Sequence, residues 1–417
     1  MNNYYDIIII GSGISGLYSA YNIMKFSPKT KFLILEKYKK NWIGGRWGNE
    51  DFYGSTIVTG AGIGRKEKDH LLVKLIKELN VKTTESKFIV NYAKSIKHPV
   101  DIIKIINNLR YEYKKQERSP TITFKQFAKL YLDTSTYKYF LEMVGYTDYE
   151  NEDVYEVLFN YGMEDNKSGF TTLNIPWKKM VDKLVSKIGT NNIKTSSNVI
   201  EINKLQEKPC IYKIILESGL NYLCNKVIVA TTIESIMKLL PNANKIGSPY
   251  KEIRGQNFLR LYGKFSKTSI PILKNYVLGY TVVHGPLQKI IPIDSDKGIY
   301  MIAYSDNKNA SYLKSFLENN EKNRGIICHL LENALQIPND TLHLLAMKDY
   351  YWPIGTHYYL PLSNNFDSRK DFINKAQHPQ NGMLVVGEVV SNDQGWSEGA
   401  LESVEKVLTK KWIENIC

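Results

Sequence analysis

Tyr5-Asp6-Ile7-Ile8-Ile9-Ile10-Gly11-Ser12-Gly13-Ile14-Ser15-Gly16 opens the chain and decides its fold class. The β-branched run reads as a strand buried on both faces of a parallel sheet. A GxGxxG turn follows directly, and Leu17, Ala20, Tyr21 and Met24 then recur at helical spacing. Lys31 to Leu35 reads as a second strand ending at Glu36. Gly11 permits a tight turn, Gly13 lets backbone approach a pyrophosphate, and Gly16 lets helix pack on strand. The helix start offers free N–H groups and a positive dipole end to phosphates. Glu36 is placed to accept hydrogen bonds from adenosine ribose hydroxyls, and Ser12 and Ser15 complete the loop. The unit is α/β and Rossmann-like, and this motif alone serves FAD and NAD equally.

Working outward, 417 residues exceed one simple core, so two interleaved domains are expected. Apolar content of 43% supports sizeable cores, and no run of eighteen apolar residues suggests a membrane span. The first strand starts too early for a signal peptide. Cys210, Cys224, Cys328 and Cys417 form no CxxC pair, which reads as a reduced, intracellular, cytoplasmic protein. The net charge of +13 comes from lysines scattered among asparagine and isoleucine. Without an aromatic ladder between the basic clusters, nucleic acid is not an expected partner, and neither is a membrane. The seven histidines show no metal-ligand spacing, and neither GxSxG nor a P-loop is present.

Shortly after Glu36 comes Trp42-Ile43-Gly44-Gly45-Arg46, and later Thr59-Gly60-Ala61-Gly62-Ile63-Gly64. Near the other end, Met383 to Val386 reads as a buried strand running into Gly387-Glu388, and Gly395-Trp396-Ser397-Glu398-Gly399-Ala400-Leu401 opens a helix. This set resembles the flavin-containing amine oxidase superfamily. The resemblance implies non-covalent FAD, with Gly45 and Arg46 at the pyrophosphate and Gly60 and Ala61 beside the flavin ring. It also implies Val199 at adenine, Gly387 and Glu388 at the ribityl chain, and Ala400 where the helix end faces the pyrimidine. The composition and the 82–170 region are similar to amine-oxidase-like proteins of giant DNA viruses.

The FAD-binding domain is expected from residues 1–81, 171–265 and 345–417, with 82–170 and 266–344 forming an inserted α+β substrate domain. Trp396 matches one aromatic of the family's two-residue cage. Tyr350 to Tyr359 resembles the segment supplying the other, where His357 and Tyr358 both qualify. The strand Asn257 to Phe265 resembles the one bearing the family's lysine beside the flavin, and here Arg260 stands in its place. Arginine cannot work as a base. It can hold a water or bind a carboxylate bidentately. Thr356 replaces the cysteine through which monoamine oxidases attach flavin, hence the non-covalent expectation.

The resemblance implies oxidation of a C–N bond, with an amine or amino acid and O2 as small-molecule partners and imine or aldehyde plus H2O2 as products. Three alternatives stay open: an L-amino-acid oxidase using Arg260 for the carboxylate, a FAD-dependent desaturase, and a FAD-stabilised binding protein without turnover.

Overall fold

The computed structural model describes residues 3–166 and 168–415. Its first sheet is seven-stranded. Strand Tyr4–Ile10 lies between Phe32–Leu35 and Asn221–Val229, parallel to both, and the short strands Ile193–Lys194 and Met383–Val385 extend the parallel set. Antiparallel Cys210–Leu216 and Val199–Glu207 complete it. Along the first strand the pleat sends Ile7 and Ile9 into one apolar layer and Ile8 and Ile10 into the other. That two-sided burial is why the run carries no polar alternation.

The first layer packs helices Ile14–Phe26, Trp177–Ile188 and Ser397–Val407 on the sheet, and the second packs Ile233–Leu239 and Arg369–Gln377. Chain from both ends therefore meets at the carboxyl end of the first strand, where open α/β sheets bind ligands.

A second, eight-stranded sheet runs in the order Leu344–Tyr359, Ile253–Phe265, Ile299–Asp306, Lys289–Asp294, Tyr280–Val282, Thr84–Tyr92, Ser168–Asn174, Gly64–Arg65. Its two longest strands pair antiparallel, with Arg260 opposite Tyr350 on one side and Tyr304 on the other. Both strands belong to the second sheet, while the first sheet has no strand between 230 and 382 among the described residues. A helical unit follows the Thr84–Tyr92 strand, comprising Ile102–Lys114, Phe124–Tyr131, Thr134–Val144 and Val154–Phe159 around Phe124, Phe127, Phe140 and Tyr149.

Among the described residues no helix is long and apolar enough to cross a membrane. No group of three or more His, Cys, Asp or Glu there is placed to hold a metal ion. Cys224 and Cys328 are buried free thiols, whereas Cys210 is disulfide-bonded, so the expectation of a fully reduced chain does not hold at Cys210.

Candidate active site

A cavity of 1440 Å³ runs between the two sheets and into the helical unit. Drug-sized ligands occupy cavities of roughly 300–1,000 Å³, so this one has room for a large cofactor and a substrate together.

Its nucleotide end is built by the glycine turn. A Cβ on Gly11 would sit 2.4 Å from the Ala230 carbonyl oxygen, and one on Gly16 only 2.1 Å from that of Gly11. These two glycines hold helix and strand together. Gly13 differs: a Cβ there meets nothing within 4 Å, and Gly13 and Ser15 line the cavity. Gly13 also caps the Ile14–Phe26 helix, and no side chain bonds that helix's first N–H groups. Glu36 is buried, and its carboxylate accepts from Ser12 N (2.8 Å), Ser12 Oγ (2.7 Å) and Tyr38 N (2.9 Å). Ser12 thus orients Glu36 from behind the wall. Val199 lines the same end.

The middle is closed by residues far apart in sequence. Arg46 Nη1 donates to Glu388 Oε1 at 2.9 Å and to the Gly355 carbonyl. His357 Nδ1 lies 2.5 Å from the same Glu388 oxygen, and His357 Nε2 accepts from Ile233 N at 3.2 Å. Because Nε2 accepts, the ring proton sits on Nδ1 and points at Glu388. Burial pushes the Glu388 carboxyl up, but His357 and Arg46 together outweigh it and hold it at about 2. Gly395 N donates to the other oxygen, Oε2, at 3.2 Å. Gly45, Gly60, Ala61, Gly387 and Ala400 all line this stretch.

The far chamber is lined by Arg260, Tyr304, Met301, Trp352 and Trp396. Arg260 donates from Nε to the Gly60 carbonyl at 2.7 Å and lies over the Tyr304 ring, 4.2 Å from its centroid. It forms no ion pair with a carboxylate among the described residues. Trp352 is tied by its indole N–H to the Thr59 carbonyl at 2.7 Å. The Arg65 guanidinium stacks on Trp396, 3.8 Å from the ring centroid, and is fixed by Asp69, Asp165 and Asp393.

Of the two cage candidates, His357 reaches the wall with both ring nitrogens already engaged, and Tyr358 is not among the lining residues. Sequence reasoning missed Trp352, Tyr304 and Arg65, and with them Asp148, Glu152 and Glu156, which line the chamber from the helical unit. The spacing of those three carboxylates, four residues apart, was the available signal.

The lining fits FAD. Besides the uncapped helix start and Glu36, two lining residues carry buried polar atoms without a partner, Thr231 Oγ1 and Gln394 Oε1. Such atoms are expected where a polar ligand completes the site.

No protein-family model matches the chain, and no curated protein matches it in sequence. Solved structures do resemble it. A triple mutant of putrescine oxidase, redesigned in its cofactor binding, superposes with a TM-score of 0.73 at 13% identity, covering 97% of both chains. A double mutant from the same redesign gives 0.71 at 13% identity over 97% of this chain and 98% of that one. With the likeness running end to end, the chain has the α/β fold of these putrescine oxidases.

Proposed function

We propose that the chain is a FAD-dependent oxidoreductase that binds FAD non-covalently and oxidises the C–N bond of a small amine. One observation carries the reading: a single cavity joins the glycine-turn and Glu36 grip to a chamber walled by Arg260, Tyr304, Trp352 and Trp396. Gly13, Glu36 and Val199 would hold the adenosine half, and Arg46 and Glu388 the middle. Gly60, Ala61 and Ala400 would flank the ring. No cysteine lines the cavity among the described residues, and Thr356 is engaged by Gln256, which supports non-covalent attachment.

When bound, FAD would supply the two-electron oxidation of the substrate C–N bond with O2 as terminal acceptor, the overall products being an imine or aldehyde and H2O2. The aromatic walls orient the amine and exclude water from its reacting carbon. Arg260 stays charged and offers donors, not a base. Asp148 reaches the chamber with its carboxyl pushed above the usual range, first by burial and then by Asp306, and is placed to exchange a proton with the substrate amine.

An anaerobic screen tests this. Polyamines, alkyl- and arylamines and L-amino acids are added to the purified protein while flavin absorbance is followed. Bleaching by one amine class, with H2O2 on re-aeration, is expected. Bleaching by none across the panel overturns the amine assignment. A second reading, an L-amino-acid substrate, is favoured by one feature: Arg260 is a buried guanidinium on the cavity wall without a carboxylate partner, the setting in which a substrate carboxylate binds.

A further inference from the structure

The segment Lys37-Tyr38-Lys39-Lys40-Asn41-Trp42 is exposed, yet Lys37, Tyr38 and Trp42 also line the cavity. Tyr38 is 54% and Trp42 43% exposed. Their ring centroids lie 5.6 Å apart, and Trp42 meets Trp352 edge-on, also at 5.6 Å. Trp352 in turn lines the far chamber, its indole N–H bound to the Thr59 carbonyl beside Gly60. Three neighbouring rings thus run from solvent to the loop proposed to flank the flavin ring.

Two other aromatic walls of the chamber are covered by cations. Arg65 lies 3.8 Å from the Trp396 centroid, and Tyr304 has Arg260 at 4.2 Å and Lys289 at 4.6 Å. A cation on a ring face is held by the ring's electrons and opposes their removal. Among the described residues no lysine or arginine lies over Trp352 or Trp42. Lys37 Nζ sits 5.5 Å from the Tyr38 centroid, at an exposed position where water screens its charge. Burial pushes the phenols of Tyr146, Tyr161 and Tyr280 above their usual range, so they keep the proton that a phenol sheds with its electron. Indole needs no such proton loss. A second indole pair, Trp47 and Trp177 at 4.7 Å, leads inward, since both rings are buried. Of these two pairs, only the Trp352 line reaches solvent.

We propose that Trp352, Trp42 and Tyr38 carry an electron from the protein surface to light-excited FAD. The inference rests on the FAD reading and not on the identity of the substrate. Trp352 gives one electron to the excited cofactor. Trp42 refills Trp352, and Tyr38 refills Trp42 as its phenolic proton passes to water. A soluble thiol restores Tyr38 by giving it a hydrogen atom. Two rounds deliver two electrons to FAD, which takes up two protons from water, while the two thiyl radicals pair as one disulfide. The three side chains end unchanged.

The test uses the FAD-loaded full chain under blue light, without oxygen or amine and with dithiothreitol in solution. Flavin absorbance gives the photoreduction rate, and flavin fluorescence reports the first electron step. Wild type is expected to be weakly fluorescent and to bleach in the light but not in the dark. Trp42→Phe should stay as weakly fluorescent and bleach at least about tenfold more slowly, because the electron then returns from FAD to Trp352. Tyr38→Phe should slow bleaching as well, and Trp352→Phe should brighten the fluorescence. Bleaching of Trp42→Phe at the wild-type rate, or fluorescence that Trp352→Phe leaves unchanged, overturns the path alone. A chain that takes up no FAD overturns the cofactor reading and the path with it.

Discussion

Arg46 Nη1 lies 2.9 Å from Glu388 Oε1, joining two residues 342 positions apart across the middle of the cavity. His357 holds the same oxygen from the other side. The cavity wall is thus assembled by an Arg46–Glu388 charge pair braced by the His357 Nδ1–H, and neither end of the chain makes it alone. Its geometry exists only when the C-terminal strand Met383–Val385 has docked on Asn221–Val229.

Glu388→Gln should therefore destabilise the fold and loosen flavin. Breaking a buried, paired charge costs about 3–5 kcal/mol. The pH dependence follows from the lowered carboxyl, near 4.5 when unfolded and about 2 when folded. Its contribution is fully present above 4.5 and is lost as pH falls through 2. Thermal unfolding of wild type and variant should show a constant gap at neutral pH that closes on acidification within that window. A gap that persists unchanged at the acid end would mean the charge pair is not its source.

Gly13→Ala separates folding from cofactor binding. The backbone at Gly13 has φ −64°, which alanine adopts freely, and its Cβ would point into open space in the cavity. The variant should unfold at the same temperature as flavin-free wild type and yet purify colourless. Gly11→Ala should do the opposite, because a Cβ 2.4 Å from the Ala230 carbonyl at φ +103° forces backbone to move, at about 3 kcal/mol.

Such glycines were legible because a turn, a close approach and a helix start each demand a particular residue at a fixed spacing. The same holds for Glu36, Arg46 and Glu388, which the structure brings to one cavity. Less was legible in the second sheet. Ile253–Phe265 and Leu344–Tyr359 pair across about eighty residues, and alternation within a strand does not say which sheet it joins. Arg65 and Lys66 are adjacent basic residues in the sequence; only the fold shows that Arg65 is buried by three carboxylates while Lys66 is exposed. Asp148, Glu152 and Glu156 recur four residues apart, but that spacing alone does not say that the helical unit turns them inward. The hydrogen bonds that engage both His357 nitrogens are tertiary, and no local pattern in the sequence shows them.

Arg260→Lys discriminates the two substrate readings. Lysine keeps the charge but loses the planar fork and the Nε bond to the Gly60 carbonyl. If the guanidinium grips a carboxylate, flavin reduction by L-amino acids should fall at least about tenfold more than reduction by simple amines. Equal losses on the two classes would sink the carboxylate role and leave Arg260 as the anchor of the Gly60 loop.

Arg65 offers the sharpest test of whether Trp396 works by its orientation. The guanidinium is held by Asp69 at 2.7 Å, Asp165 at 3.0 Å and Asp393 at 3.2 Å, so its plane over the indole is fixed. Arg65→Ala would strand those carboxylates, and a loss of about 3–5 kcal/mol should appear in unfolding. Arg65→Lys is the more informative variant, because it keeps the charge and forfeits the stack. Its unfolding should lie within about 2 kcal/mol of wild type, since the buried carboxylates keep a cation. Flavin should be retained with an unchanged spectrum, and the rate of its anaerobic reduction by the best amine should fall about tenfold, with substrate affinity altered less. Should the rate hold while only stability drops, Trp396 packs the helix start, and the chamber orients its substrate by other walls.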